Sequence, residues 1–233
     1  MVKRLAIVPA RGGSKRIKNK NIKNFCGKPM IHHIIDVAIK SNLFDKIHIS
    51  TECESIKRTV ELKKLKIDFM RPKSLADDHT PLMPVLKYVV NKYNSFDLIY
   101  DEIWLLMACA PLIDANDLIE ASKYFSQKIN HKKNLLAIAE YPVPIEWSFT
   151  MSNNGFLEPR FPGKFKKRSQ DLTRNYFDTG TFAIFPRLNI MNCNESGNDY
   201  GFIGFKLPKE KSIDIDTEED WKMAEGLFNY LKK

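Results

Sequence analysis

Residues 5–21, LAIVPARGGSKRIKNKN, place the adjacent glycines Gly12 and Gly13 among Arg11, Ser14, Lys15, Arg16, Lys18 and Lys20. Bare backbone amides beside guanidinium and ammonium groups suit a polyphosphate, because Arg grips two oxygens at once and Lys acts as a point charge. Such a set stabilises negative charge by position and electrostatics. The apolar run Leu5–Val8 leads into this turn through Pro9 and reads as a buried strand of a parallel sheet. Open α/β sheets bind ligands just beyond the carboxyl ends of their strands. Neither G-x-G-x-x-G nor G-x-x-x-x-G-K-[ST] is present, so this is a different phosphate loop. A solvated Lys-rich turn is the competing reading.

Three further groups carry polar chemistry. In Asp214-Ile215-Asp216 a strand's period of two points both carboxylates to one face, roughly 7 Å apart. Like charges so placed repel unless a cation sits beside them, and magnesium accepts one or two carboxylates with waters and phosphates. Alternatively, Asp216 favours the N-terminus of the helix that follows while Asp214 is solvated. Arg168-Ser169-Gln170-Asp171-Leu172, with Tyr176, Asp178 and Gly180 beyond, offers mixed donors and acceptors for an acidic substrate, or is an ordinary surface loop. Arg71-Pro72 follows a short apolar run, where Arg71 reaches a base edge or faces solvent. His32 and His33 share a helix and read as partly buried, and no nucleophile–base constellation can be assembled.

The elements that must position these groups alternate between strand and helix. Strands are expected at Leu5–Val8, Lys46–Ser50, Ile67–Met70, Ile103–Met107 and Leu135–Ala139. Between them lie helices after Pro29 at an N1 position, over Glu54–Lys64, around Val85–Val90 and over Leu118–Phe125. This rhythm predicts one α/β domain, a mainly parallel sheet with helices on both faces. It breaks between Tyr141 and Gly180, where prolines, the turn Asn153-Asn154-Gly155 and the basic run Lys164–Arg168 mark an excursion. Strands resume at Thr181–Phe185, Phe202–Leu207 and Ser212–Ile215. Thr217 with Asp220 forms a capping box for a closing helix whose apolar stripe is Trp221, Ala224, Leu227, Phe228 and Leu231.

Composition excludes several classes. At 233 residues, 43% hydrophobic and 28% charged, the chain can bury a sizeable core and is not disordered. No apolar run reaches the roughly 18 residues of a membrane span. The apolar stretch at the N-terminus is too short for a signal peptide, so a cytoplasmic location is expected. Cys26, Cys53, Cys109 and Cys193 are scattered, which argues for reduced thiols over zinc or disulfides. The net charge of +9 fits an anionic ligand, nucleic acid or a Lys-rich composition. Gly201–Gly204 is a G-x-x-G, but its apolar and aromatic flanks read as a strand, and no nucleic-acid partner is expected.

The chain resembles the cytidylyltransferases that activate nonulosonic (sialic-type) acids. Residues 7–31, IVPARGGSKRIKNKNIKNFCGKPMI, are similar to that family's IPARGGSK-x-x-x-x-KNI-x-x-x-x-GKP-[LM]-I. Ser50-Thr51 is similar to its VST, Arg71-Pro72 with Leu75-Ala76 and Asp78 to its RP-x-x-LA-x-D, Arg168–Leu172 to its R-x-QDL, and Ile213–Trp221 to its DIDTEEDW ending. The resemblance implies a single Rossmann-like nucleotidyltransferase domain over residues 1–233, with 141–180 as an inserted dimerisation and substrate arm of a homodimer. It implies attack of a sugar acid's anomeric hydroxyl on the α-phosphate of CTP, giving a CMP-sugar and pyrophosphate. Arg11 and Lys20 would hold the triphosphate with Ser14, Asn21 would contact the ribose and Arg71 would border the cytosine. Ala10, Gly12 and Gly13 complete the nucleotide-binding set. Asp214 and Asp216 would hold magnesium, with manganese as a substitute, and form the catalytic set with Arg11 and Lys20. Arg168, Gln170 and Tyr176 would contact the sugar.

Departures bear on the acceptor. Where sialic acid enzymes read QPTSPLR and NGAIY, this chain has Met107-Ala108-Cys109-Ala110-Pro111-Leu112 and Asp178-Thr179-Gly180-Thr181-Phe182. These, with EYPVPIEW at 140–147, are more similar to the pseudaminic acid branch, although the residues after Gly180 match it incompletely. Arg16 and Lys18 stand where glycine and proline are frequent. Pseudaminic acid is favoured over N-acetylneuraminic and legionaminic acids. A non-catalytic nucleotide-binding protein is the alternative of another class, and an RNA-binding module the most distant one.

Overall fold

Strand β1 (Arg4–Pro9) lies inside a six-stranded sheet, with Leu5 and Ile7 buried on one face and Ala6 and Val8 on the other. The computed structural model describes residues 2–128, 133–194 and 201–232. After the cationic loop, β2 (Asn24–Phe25) and β3 (Lys28–Pro29) form a short hairpin and α1 (Met30–Ser41) begins, with Pro29 as its N-cap, one position before the expected N1. The alternation continues through β4 (Lys46–Ser50), α2 (Glu54–Glu61), α3 (Leu82–Asn94), β5 (Glu102–Leu106), α4 (Ala115–Gln127) and β6 (Asn134–Glu140). The chain then leaves the sheet and forms the hairpin β7 (Phe149–Met151) with β8 (Leu157–Pro159). It returns as β9 (Tyr176–Pro186) and ends with α5 (Arg187–Met191), β10 (Phe202–Lys206) and α6 (Glu218–Leu231).

The strand order is β10-β6-β9-β5-β1-β4. All neighbours run parallel except β9, which pairs antiparallel with both β5 and β6. Its direction follows from its connection. The excursion returns the chain to the same edge of the sheet that β6 left, with no crossover helix, and antiparallel pairing is the result. Residues 176–180 of the expected arm therefore belong to β9, where Tyr176, Phe177 and Asp178 pair with Glu140, Ala139 and Ile138. Helices α1, α2 and α4 cover one face, and α3 with α5 the other. A third apolar cluster joins α6 to the loop through Ile17, Phe25, Ile215 and Trp221.

Two expected strands are absent. Ile67–Met70 has no ladder, because Phe69 stacks on His48 at 4.4 Å and so lies over β4 instead of pairing with its edge. Ser212–Ile215 is also unpaired, with Ile213 and Ile215 directed into the third cluster.

Two buried histidines make the fold acid-sensitive. His48 sits among Phe69, Tyr93 (Oη to Nδ1 3.1 Å), Asp68 and Lys46. Burial holds its imidazole down at about 3, against a smaller opposing pull from Asp68. His33 meets the Phe25 carbonyl oxygen at 2.8 Å through Nε2, and burial lowers it to about 4. Both rings stay neutral in the fold but take up a proton near pH 6.5 once unfolded. Their contribution is present above pH 6.5 and is lost as pH falls toward 4, by about 1.4 kcal/mol per unit for each ring. Urea midpoints should fall over that window, whose upper part lies above the range in which ordinary carboxylates titrate. A double His33→Gln, His48→Gln variant should flatten the slope, and an unchanged slope would exclude these histidines as its source.

Candidate active site

Beyond the carboxyl ends of β1 and β5 lies a cleft of about 360 Å³, where the fold class predicts a ligand. The loop contributes Arg11, Ser14, Lys20 and Asn21 to its lining, and Arg71 borders it from the segment after α2. Asp214 and Asp216 line it from the approach to α6, and Cys109 from the turn after β5.

The loop is held in shape at several points. Ile17, 1% exposed, is plugged into the cluster under α6. Asn21 Nδ2 donates to the Arg11 carbonyl at 2.9 Å, and the Cys109 thiol donates to Asn21 Oδ1 at 3.3 Å. The Gly12 amide donates to Glu52 Oε1 at 2.7 Å. A Cβ at Gly12 would meet Cys53 Sγ at 2.9 Å, so this close approach requires glycine. Among the described residues, none accepts a hydrogen bond from the amides of Gly13 or Ser14.

Opposed charges shape the cleft. Asp78 Oδ1 accepts from Arg11 Nη1 at 2.6 Å, and its other oxygen pairs with Lys15. Hydrogen bonds from Lys15 and then Arg11 hold the Asp78 carboxyl below the usual range. Asp216 pairs with Arg16 at 2.9 Å and with Lys20 at 3.3 Å, and Lys20 also donates to the Ile215 carbonyl at 2.7 Å. Asp214 is different. Burial raises its carboxyl, and the neighbouring Asp216 raises it further. Gly180, with φ of +61°, lies against it: a Cβ there would be 3.6 Å from Asp214 Oδ2.

The two carboxylates share a face for a reason other than a sheet. Ile215 between them is fully buried, which turns its neighbours toward the cleft. Thr217 caps α6 with Asp220 in the expected capping box, and Asp220 Oδ2 also accepts from the Asp216 amide at 3.1 Å. Asp220 thus serves the helix terminus and leaves the Asp216 carboxylate to the loop cations. The pair fits magnesium: two carboxylates in repulsion, with room for waters and phosphate oxygens. Among the described residues, no group of three or more His, Cys, Asp or Glu forms an all-protein metal cage.

Other expected site residues lie elsewhere. Ala10 is in the core and its amide donates to the Ser50 carbonyl, while Gly12 and Gly13 are not among the lining residues. Arg168 is exposed and pairs with Asp171 at 2.9 Å, and Gln170 is exposed beside it. Tyr176 lies under Lys206 at the outer end of β9, roughly 13 Å of strand beyond Gly180. None of these three lines this chain's cleft. Asp78 is the group that residue-level reasoning left without a role; the acidic pair Asp77-Asp78 downstream of a basic loop was the available signal.

A mainly parallel sheet whose carboxyl edge sets a cationic glycine loop against paired carboxylates defines a nucleotidyltransferase fold and site. The chain belongs to the cytidylyltransferase family, whose model matches residues 5–138. It is 35% identical to the pseudaminic acid cytidylyltransferase of Campylobacter jejuni, over 97% of each chain. It is 30% identical to the N-acylneuraminate cytidylyltransferase of Streptococcus agalactiae, over 98% of this chain and 54% of that one. The solved structure of a CMP:2-keto-3-deoxy-manno-octonic acid synthetase complexed with CTP shares the fold at a TM-score of 0.71, with 17% identity and coverage of 98% and 99%.

Because Asp78 occupies the same cations that would grip a polyphosphate, Asp78→Asn should tighten inorganic pyrophosphate binding. Pairs this exposed are weak, so calorimetry at low salt should read a modest gain of about threefold to tenfold. Equal or weaker binding would show that Asp78 does not compete with the ligand.

Proposed function

We propose that this cytidylyltransferase transfers CMP from CTP to the anomeric hydroxyl of a nonulosonic acid, with pseudaminic acid as the acceptor. The observation that carries the reading is the convergence of Arg11, Lys20 and Ser14 with Asp214 and Asp216 on one cleft. The 35% identity to a pseudaminic acid cytidylyltransferase over nearly the whole chain supports the choice of acceptor. The same reaction on N-acetylneuraminic or legionaminic acid is the nearest rival. A non-catalytic nucleotide binder is the rival of another class, and the intact carboxylate pair counts against it.

In the proposed reaction the acceptor oxygen forms a bond to the α-phosphorus as the α–β bridging P–O bond breaks. Pyrophosphate leaves with the electron pair, and the hydroxyl proton passes to solvent or to the acceptor's own carboxylate. Arg11 and Lys20 stabilise the charge that grows on the leaving group, from fixed positions that need little reorganisation. Magnesium, or manganese in its place, held by Asp214 and Asp216, would add positive charge beside the phosphates. Before such a cation binds, burial and then Asp216 raise the Asp214 carboxyl above its ordinary value, so metal affinity should rise with pH through its titration.

Pyrophosphate release should require CTP, magnesium and a nonulosonic acid, tested in parallel with pseudaminic, N-acetylneuraminic and legionaminic acids. Asp214→Asn and Asp216→Asn should each lower turnover on the order of 100-fold or more while the fold is retained. Near-normal rates in both variants would remove the metal assignment. CTP binding without release from any acceptor would favour the non-catalytic reading.

The same proposal includes a homodimer in the cytoplasm. Four free cysteines and the use of CTP support that location. The excursion bearing β7 and β8 exposes Met151, Phe156, Leu157 and Phe165, apolar area that a second copy would cover. Such a partner could carry its arm, with Arg168 and Gln170, and the adjoining start of β9, with Tyr176, toward this chain's cleft. Sedimentation should give a dimer, and Phe156→Asp should shift it toward monomer with reduced turnover. A monomeric, fully active wild type would overturn this part.

A further inference from the structure

Glu52 lies two residues past the end of β4, beside the phosphate loop that begins two residues past the end of β1. The register Pro9↔Ser50 and the hydrogen bond from the Ala10 amide to the Ser50 carbonyl, 2.9 Å, hold the two strand ends in step. The Glu52 carboxylate then links two parts of the site. Its Oε1 accepts from the Gly12 amide at 2.7 Å and its Oε2 from Arg71 Nη2 at 2.9 Å. The Arg71 amide donates to the Thr51 carbonyl at 2.8 Å, so backbone and side chain of Arg71 are both anchored to this strand end.

Arg71 is the group for which this anchoring matters. Its side chain is 4% exposed, it borders the cleft, and its Nε is buried with no partner among the described residues. A buried donor without an acceptor is costly. It favours a ligand edge that supplies one: cytosine N3 accepts, whereas uracil N3 carries a hydrogen and opposes it. Glu52 itself does not line the cleft.

We infer that Glu52 is a positioning residue which fixes the spacing between the phosphate loop and Arg71, and through Arg71 sets the preference for cytidine over uridine nucleotides. The inference rests on the cytidylyl-transfer reading of the cleft. Only a carboxylate serves both partners, since both are donors and glutamine offers one acceptor and one donor in nearly the same volume. Glu52→Gln therefore loses one of the two bonds and sets a second donor against either Arg71 or Gly12.

The test compares wild type, Glu52→Gln, Arg71→Lys and the double variant with CTP and with UTP, by pyrophosphate release and by equilibrium nucleotide binding. Losing one charge-assisted hydrogen bond should raise the CTP KM by about tenfold to a hundredfold, with a smaller change in kcat. The CTP-over-UTP preference should shrink by a similar factor. Because Glu52 acts through Arg71, the double variant should lose no more base preference than the worse single one. An unchanged CTP/UTP ratio in Glu52→Gln, or losses that multiply, would overturn the inference. If Glu52→Gln does not fold, Glu52→Asp, which keeps both acceptors on a shorter stem, should bind CTP more weakly yet retain more of the base preference than Arg71→Lys. Retaining less would count against the inference. Nucleotide binding needs no acceptor sugar, so wild type that prefers CTP but never releases pyrophosphate would sink the transfer reading and leave this one standing.

Discussion

Arg11, Lys15, Arg16, Lys18 and Lys20 bring five positive charges into ten residues of one turn, and their repulsion is the constraint around which the cleft is organised. Left alone, such a loop would spread into solvent. Instead Asp78 takes Arg11 and Lys15 on one side, and Asp216 takes Arg16 and Lys20 on the other. Ile17, between Arg16 and Lys20, is driven into the apolar cluster beneath α6. Burying a side chain of that size is worth about 1.5–3 kcal/mol, more than an exposed ion pair contributes. The apolar anchor therefore holds the path of the loop, and the carboxylates decide where each cation points.

The other side of the cleft depends on the strand that breaks the parallel pattern. β9 enters from the carboxyl edge, and Gly180 lies two residues before Phe182, which pairs with Leu106 at the end of β5. Its left-handed φ favours glycine, and the Asp214 carboxylate packs in ordinary contact with it, within 4 Å of the position a Cβ would take. The excursion before β9 is thus more than a surface appendage. It sets the direction of the strand that flanks the carboxylate pair.

Much of this could be read from local patterns. β1, β4, β5 and β6 are short apolar runs between turn residues, and α6 carries its own cap and stripe, so each element identifies itself without reference to a neighbour. What local pattern could not convey is partnership. Nothing in Thr181–Phe185 says which strands it will meet or in which direction, and Phe69 reads as strand-like until His48 is found beneath it. The pairing of Asp214 with Asp216 on one face was read correctly from alternation, yet the cause is the burial of Ile215 in an unpaired segment. Asp78 and Glu52 meet the loop across 67 and 40 residues of sequence, a separation that no periodicity records. Arg168, Gln170 and Tyr176 do not line the cleft of their own chain, and under the proposed dimer a second copy would bring them to the sugar.

That last separation bears on how an acceptor could be recognised. The turn after β5 presents Cys109, whose thiol is tied to Asn21 and pushed up to about 11 by burial, so it stays protonated and offers neither charge nor a strong donor. Its neighbour Ala108 has no polar side-chain atom. Under the proposed reaction, then, the floor of the cleft contributes shape more than polarity, and a small thiol leaves space that a longer amide side chain would fill. Discrimination among nine-carbon acids that differ at ring substituents requires directional donors and acceptors, because an apolar pocket alone discriminates weakly. Those donors have to come from outside the floor, and the exposed run from Arg168 to Tyr176 is where this chain holds them. Under the proposed dimer, nucleotide choice would be set within one subunit, by the strand end that carries Glu52 and Arg71, while acceptor choice would be shared between two. Assembly and sugar specificity would then change together, and nucleotide specificity would not follow them.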